Sequence, residues 1–309
     1  MSNPNFIIAG ERRSGSTTMY EILKQHSEVG MYHLSDYDFF IEPELFSRTP
    51  LLDENLKNWD ETHPLSDYQD LFSGLSGCTG QKDADLLWWR PSHERLARML
   101  PDTKFIIILR NPVKRAESQY FNELGKGRET LSFEAAIERE KNEDLSSWQK
   151  LHLQYKERGC YASSLGHFYK YISRERVKVV ILEELFMNWN EVMTEVCIFL
   201  SINSEEGIAI KPLHSNREEL WQRNEFSKRK GISWIFNLWD RISEAIIVRI
   251  TNNTKKRVAL RRSFRGWYYR SARAEHKVNP SIIDKLKQFY KPHNEDLEKL
   301  LGKKLSYWQ

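Results

Sequence analysis

The chain has 309 residues, 40% of them hydrophobic and 12% aromatic, which is too apolar for a disordered segment and enough for one large α/β domain with a buried core. Lys and Arg total 47 against 43 Asp and Glu, and a formal charge of +4 is too balanced to argue for wholesale nucleic-acid binding. Cys78, Cys160 and Cys197 are widely spaced and form no C-x-x-C pair, which speaks against a disulfide framework or a zinc site and fits a reducing, cytoplasmic setting.

In chain order, Phe6-Ile7-Ile8-Ala9 is a short apolar strand reached almost at once from position 1, so no targeting peptide is expected. Met19, Ile22 and Leu23 then recur at helical spacing within Thr17 to His26. Met31 to Phe40 is rich in Tyr, Phe and Asp, and Pro43, Pro50 and Pro64 punctuate a long irregular stretch of the kind that shapes pockets. Arg95 to Leu100 reads as the end of a helix stopped by Pro101, and Lys104 to Leu109 as a continuous apolar strand of a buried parallel sheet. Pro112 sits where a helix begins. Helical patterns follow at Phe133 to Asp144, Trp148 to Arg158 and Ala162 to Ile172, then a buried-type strand at Val177 to Leu182. Alternating strands and helices predict a doubly wound parallel α/β sheet of the P-loop type, flanked by helices, in one domain covering 1–309.

Residues 211–277 change character, with Lys228-Arg229-Lys230, Lys255-Lys256-Arg257 and Arg261-Arg262 interleaved with Trp234, Trp239 and Trp267. A basic helical insertion or cap is expected there. Its most apolar part, Ile232 to Ile250, is interrupted by Asp240, Arg241 and Glu244, so it cannot span a bilayer and at most lies on one. The tail from Pro280 to Leu301 carries Ile283, Leu286, Phe289, Tyr290, Leu297 and Leu300 on a helical repeat, with a break expected near Pro292.

Two loops carry the chemistry. Gly10-Glu11-Arg12-Arg13-Ser14-Gly15-Ser16-Thr17-Thr18 joins a strand to a helix, where unpaired N–H groups and the positive helix end favour an anion. Gly15 lets the backbone approach it, the hydroxyls of Ser14, Ser16, Thr17 and Thr18 add donors, and Arg12 and Arg13 add charge. No Lys follows Gly15, which disfavours a nucleotide triphosphatase, although a kinase-like P-loop protein remains the second reading. In Leu109-Arg110-Asn111-Pro112-Val113-Lys114-Arg115-Ala116-Glu117-Ser118-Gln119-Tyr120, Arg110 stands at the carboxyl end of a buried strand and Ser118 two helical turns onward, placed to pinch a second phosphate. A third reading, a nucleic-acid or membrane-surface binder, rests only on 211–277.

Together and in this order the two loops resemble the sulfotransferase family, in its heparan-sulfate-type and bacterial branch, whose first loop reads [K/R]-x-G-[ST]-T and whose second reads L-R-[ND]-P-x-x-R-x-x-S-x-Y. The resemblance implies a donor, 3′-phosphoadenosine 5′-phosphosulfate (PAPS), with Arg13, Gly15, Ser16, Thr17 and Thr18 on its sulfate-bearing end and Arg110 with Ser118 on its 3′-phosphate. The product would be adenosine 3′,5′-bisphosphate (PAP), no metal would be required, and the acceptor would be a small molecule or carbohydrate, with no nucleic acid expected as partner. Asp36-Tyr37-Asp38-Phe39-Phe40 resembles the branch's E-x-x-F-F segment, which places Asp36 at the catalytic base, with Asp38, His33 and Glu42 as other candidates. Gln81-Lys82-Asp83 resembles E-K-[ST]-P, which brings Lys82 to the sulfuryl group, and Arg158-Gly159-Cys160-Tyr161 resembles R-x-x-Y. Lys228-Arg229-Lys230-Gly231 resembles a phosphate loop of soluble members, and a solvated basic face is an equally plain reading of it. His33, Tyr37, Asp38, Trp88 and Trp89 are the candidate acceptor contacts. Arg13 stands where Lys is usual and Asp36 where Glu is usual; an Arg cannot donate a proton, so its help to the leaving group is electrostatic.

Overall fold

The computed structural model describes residues 3–32, 65–125, 128–141, 144–210 and 278–308. Within them five strands, β1 (Phe6–Gly10), β2 (Val29–Met31), β3 (Cys78–Lys82), β4 (Lys104–Leu109) and β5 (Val177–Ile181), form one parallel sheet in the order β2-β3-β1-β4-β5. Both faces are covered, which is why β1 and β4 read as unbroken apolar runs. Alternate side chains divide between the two layers. Ile7, Ala9, Phe105, Ile107 and Leu109 meet Leu96 and Met99 of one helix and Leu165 and Phe168 of another, while Phe6, Ile8, Ile106 and Ile108 meet Met19, Ile22 and Leu23 of the helix after β1.

The described helices are α1 (Ser16–Leu23), α2 (Leu65–Asp70), α3 (Ser92–Met99), α4 (Pro112–Gly125), α5 (Phe133–Arg139), α6 (Ser147–Leu153), α7 (Tyr161–Phe168), α8 (Leu182–Met187), α9 (Trp189–Leu200), α10 (Ser204–Ala209) and α11 (Pro280–Leu301). None is long and apolar enough to cross a membrane. The segment 211–277, with its expected basic insertion, lies outside the described residues.

Two expectations are corrected. The helix expected from Trp148 to Arg158 stops at Leu153, because the buried Glu140 carboxylate accepts the backbone N–H groups of Tyr155, Lys156 and Glu157 at 2.5–3.0 Å and turns the chain into a short 3₁₀ segment, Glu157–Gly159. Burial pushes the Glu140 carboxyl up to about 7 despite those donors. The break expected at Pro292 is absent, and α11 runs through it. Its first half is fixed in one cluster by Ile282, Leu286 and Tyr290 and its second in another by Leu297, and packing at both ends outweighs the missing N–H.

β3 gave no apolar pattern. It is a strand because the ladder to β1 (Phe6↔Gly80, Ile7↔Gln81, Ile8↔Lys82) and to β2 bonds through backbone alone, and because Gly80 leaves room for the Phe6 ring. A Cβ at Gly80 would lie 2.3 Å from the Phe6 ring. Gly80→Val is therefore expected to destabilise the fold by about 1–3 kcal/mol through overpacking, read as a lower urea midpoint at unchanged slope.

Candidate functional site

Parallel strands share one carboxyl edge, and the order β3-β1-β4 brings three successive loops together there. After β1, Ser14 N–H donates to the Glu11 carbonyl at 3.0 Å, and Arg13 (φ 67°) and Gly15 (φ 101°) take the left-handed conformation, which curls the backbone N–H groups toward the start of α1. Gly15 is required twice, by its φ and because a Cβ would meet Leu182 Cδ1 at 2.5 Å. No side chain caps α1 and no acidic residue stands in its first turn, so its positive end is not neutralised from within the helix.

Onto that edge come three cations. Arg13 is exposed and its Nε–H donates to Ser118 Oγ at 3.1 Å, across 105 residues of chain. Arg110, leaving β4, donates from Nη1 to the Arg13 carbonyl at 3.4 Å. Lys82, ending β3, donates from Nζ to Thr17 Oγ1 at 3.4 Å. Arg13, Ser118 and Arg110 are thus joined by direct contacts, and Lys82 reaches Thr17, four residues after Arg13.

The loop after β4 is held from beneath. Buried Tyr161 donates its hydroxyl to the Arg110 carbonyl at 2.8 Å, and Asn111 Oδ1 accepts from the N–H groups of Val113 and Lys114 to start α4. Glu183 accepts from Asn111 N–H at 3.0 Å and from Trp308 Nε1–H at 3.1 Å, and the Trp308 carbonyl accepts from Asn111 Nδ2–H at 3.3 Å.

A buried ionic network lies beneath the first loop. Arg158 is fully buried; its Nε and Nη2 donate to Glu11, Nη2 also reaches Asp85 Oδ1 at 2.7 Å, and Nη1 donates to the Leu151 carbonyl at 2.7 Å. Arg12 pairs with the other Asp85 oxygen. Burial alone would push Asp85 up, and the guanidiniums of Arg12 and Arg158 overcome it and hold the carboxyl far below the usual range. Glu11, where burial outweighs Arg158 and Arg115, is raised. His152 Nδ1 faces Arg12 Nη1 at 2.9 Å and Arg128 Nη1 at 3.1 Å; both are obligate donors, so Nδ1 is the acceptor and the ring is neutral.

Burial first, then Arg12, depress His152 to about 3. An unfolded His152 takes up a proton below pH 6.5 that the native ring refuses, so stability from this group is present above that pH and lost as pH falls toward about 3. His152→Gln, which keeps an acceptor, should remove this dependence. Urea unfolding is expected to show the wild type losing about 2 kcal/mol more than the variant between neutral pH and about pH 5.

The remaining candidates are more deeply placed or lie outside the described residues. The Arg12 guanidinium is engaged with Asp85 and His152, below the surface that Arg13 shares with Ser118. Ser14 is buried beside the Tyr161 hydroxyl, Ser16 is buried at the start of α1, and Thr18 is half-buried. Trp89 packs in the hydrophobic core, while half-buried Trp88 donates from Nε1 to the Lys150 carbonyl at 3.3 Å and lies 5.6 Å from the Arg158 guanidinium. His33, Asp36, Tyr37 and Asp38, and Arg229, Lys230 and Gly231, lie outside the described residues. Glu11, Asp85, His152, Glu183 and Trp308 were not singled out from sequence. The available signal was charge balance, since adjacent Arg12 and Arg13 beside a buried strand call for nearby carboxylates.

The Sulfotransferase family model matches residues 4–206. Human heparan sulfate glucosamine 3-O-sulfotransferase 3B1 is 28% identical over 185 residues, 59% of this chain and 42% of that protein. The bifunctional heparan sulfate N-deacetylase/N-sulfotransferase of Drosophila melanogaster is 24% identical over 210 residues, 65% of this chain and 20% of that protein. The matched stretch thus spans less than half the length of either relative. A crystal structure of a sulfotransferase from Alicyclobacillus acidocaldarius, 22% identical, aligns over 100% of this chain and 99% of its own with a TM-score of 0.64, which agrees with the helix-flanked parallel sheet. On the family match, which takes in all five strands and every loop of the cationic edge, the chain belongs to the sulfotransferase family.

Proposed function

We propose that the chain transfers the sulfuryl group of PAPS to a hydroxyl or amine of a small-molecule or carbohydrate acceptor and releases PAP. The observation that supports this reading is the meeting of Arg13 with Ser118 and of Arg110 with the Arg13 backbone, which brings the two loops together. A bisphosphorylated nucleotide suits that surface chemically, because it offers anionic groups at two ends to cations and hydroxyls gathered from three loops. PAPS supplies an activated sulfuryl group on a phosphosulfate anhydride. Arg110 and Ser118 would hold the 3′-phosphate, while Arg13, the α1 N-terminus and Thr17 would hold the sulfate-bearing end, with Lys82 beside it.

The protein's task in such a transfer is to align and to neutralise. Arg13 offers fixed positive charge to the phosphate that departs, and Lys82 offers it to the sulfuryl oxygens. The acceptor's proton needs a base, and Asp36 is the proposed one, with Asp38, His33 and Glu42 as the other candidates and Tyr37 and Trp88 as acceptor contacts. Heparan sulfate glucosamine in the relatives' names supports a carbohydrate acceptor.

PAP is expected to raise the melting temperature by several degrees at about 100 times its Kd, through about 2.7 kcal/mol of linkage, and ATP to do so far less. Equal shifts from both would sink the donor assignment. Arg110→Ala is expected to weaken PAP by about 10- to 100-fold, the loss of one charge-assisted contact, in calorimetric titration. Asp36→Asn should lower turnover of labelled PAPS on a panel of sugars, phenols and amines by at least about 100-fold while PAP binds nearly as before. Unchanged turnover would move the base to another residue.

A further inference from the structure

We infer that Arg158 is a positioning residue that sets the separation between the loop carrying Arg13 and the loop carrying Lys82, and so makes the two cations act on the donor as a unit. The inference rests on the sulfuryl-transfer reading and adds to it a residue remote from the charged surface.

Arg158 is the hub between the two loops. On one side it holds Glu11, whose carboxylate also accepts the Arg12 N–H at 2.8 Å and whose carbonyl accepts the Ser14 N–H at 3.0 Å, so the Glu11 carboxylate and backbone fix the turn that puts Arg13 in the left-handed conformation. On the other side it holds Asp85, whose carbonyl accepts the N–H groups of Trp88 and Trp89 and which stands three residues after Lys82. The segment after β3 is laid along the end of β1 by Asp83 N–H to the Ile8 carbonyl at 2.9 Å and Leu87 N–H to the Ala9 carbonyl at 2.8 Å. Gly10 permits the approach, since a Cβ there would sit 2.8 Å from Leu87 Cβ. Backbone contacts therefore bring the two loops together, and the guanidinium locks their carboxylates at a fixed spacing.

Only an arginine does this. All three guanidinium nitrogens are in use, on Glu11, on Asp85 and on the Leu151 carbonyl, and a lysine ammonium on a flexible stem cannot reproduce a planar fork shared between two carboxylates. Arg158 itself is fully buried, so it acts on the ligand through the groups it holds, and Glu11 and Asp85 are the two that lead to Arg13 and Lys82.

A double-mutant cycle on binding separates positioning from mere structural support. PAPS binding without acceptor is measured by equilibrium dialysis for wild type, Arg158→Lys, Lys82→Met and the double variant. Each single change is expected to weaken PAPS by about 10-fold, and the double variant by no more than about 20-fold, because a displaced Lys82 has little left to lose. A double loss near 100-fold, the product of the singles, would overturn the inference, as would an Arg158→Lys protein that melts lower yet binds PAPS as wild type does. Should Arg158→Lys fail to fold, Asp85→Asn takes its place in the cycle, since it weakens the link to the β3 loop and leaves Arg158 on Glu11; the same two outcomes decide. A wild-type chain that binds neither PAPS nor PAP would overturn the donor reading and this inference together, whereas binding with an additive cycle overturns this inference alone.

Discussion

Arg13, Lys82 and Arg110 arrive at one sheet edge together with the positive end of α1, and the hydrogen bonds they make there work against the repulsion of like charges. Two like charges about 6 Å apart near a protein surface repel by about 3 kcal/mol. The chain answers with carboxylates placed below the surface rather than on it. Glu11 and Asp85 lie under the first loop and Glu183 under the loop after β4, each bonded to backbone or to a buried cation. Counter-charge at that depth holds the loops in place from beneath.

The same division of labour explains the architecture around the edge. Each cation ends or follows a separate strand, and the loops are tied from beneath to segments much later in the chain: Arg158 just before α7, Tyr161 within it, and Trp308 beyond α11. These ties join residues separated by 51 to 197 positions. Such bonds close long stretches of chain, so this edge is a property of the whole domain rather than of either loop.

Much of this was legible in the sequence where one local rule governed the outcome. The apolar runs at Phe6 and Lys104, the Gly15 turn and the Pro112 helix start each followed from patterning or backbone geometry, and the nearness of the Arg13 and Arg110 loops followed from their places at the ends of parallel strands, whereas the contact of Arg13 with Ser118 did not. What escaped depended on partners far away in the chain. β3 carries Thr79, Gly80 and Gln81, which have no strand signature until Phe6 and Asn5 lie beside them. The end of α6 is dictated by Glu140, on a preceding segment, and the passage of α11 through Pro292 by two separate clusters. Glu11 and Asp85 were not singled out, because burial is not a local property of a charged residue.

The bare start of α1 has a consequence for anyone who would engineer this protein to be hardier. A common way to stiffen a domain is to place a carboxylate in the first turn of a helix, as in Thr18→Glu, which gives about 0.3–1 kcal/mol where the dipole is unopposed. Ser16, Thr17 and Thr18 would pass as an oversight to such a scheme. A fixed negative charge there would steady the helix while cancelling positive potential at the edge that Arg13, Lys82 and Arg110 share.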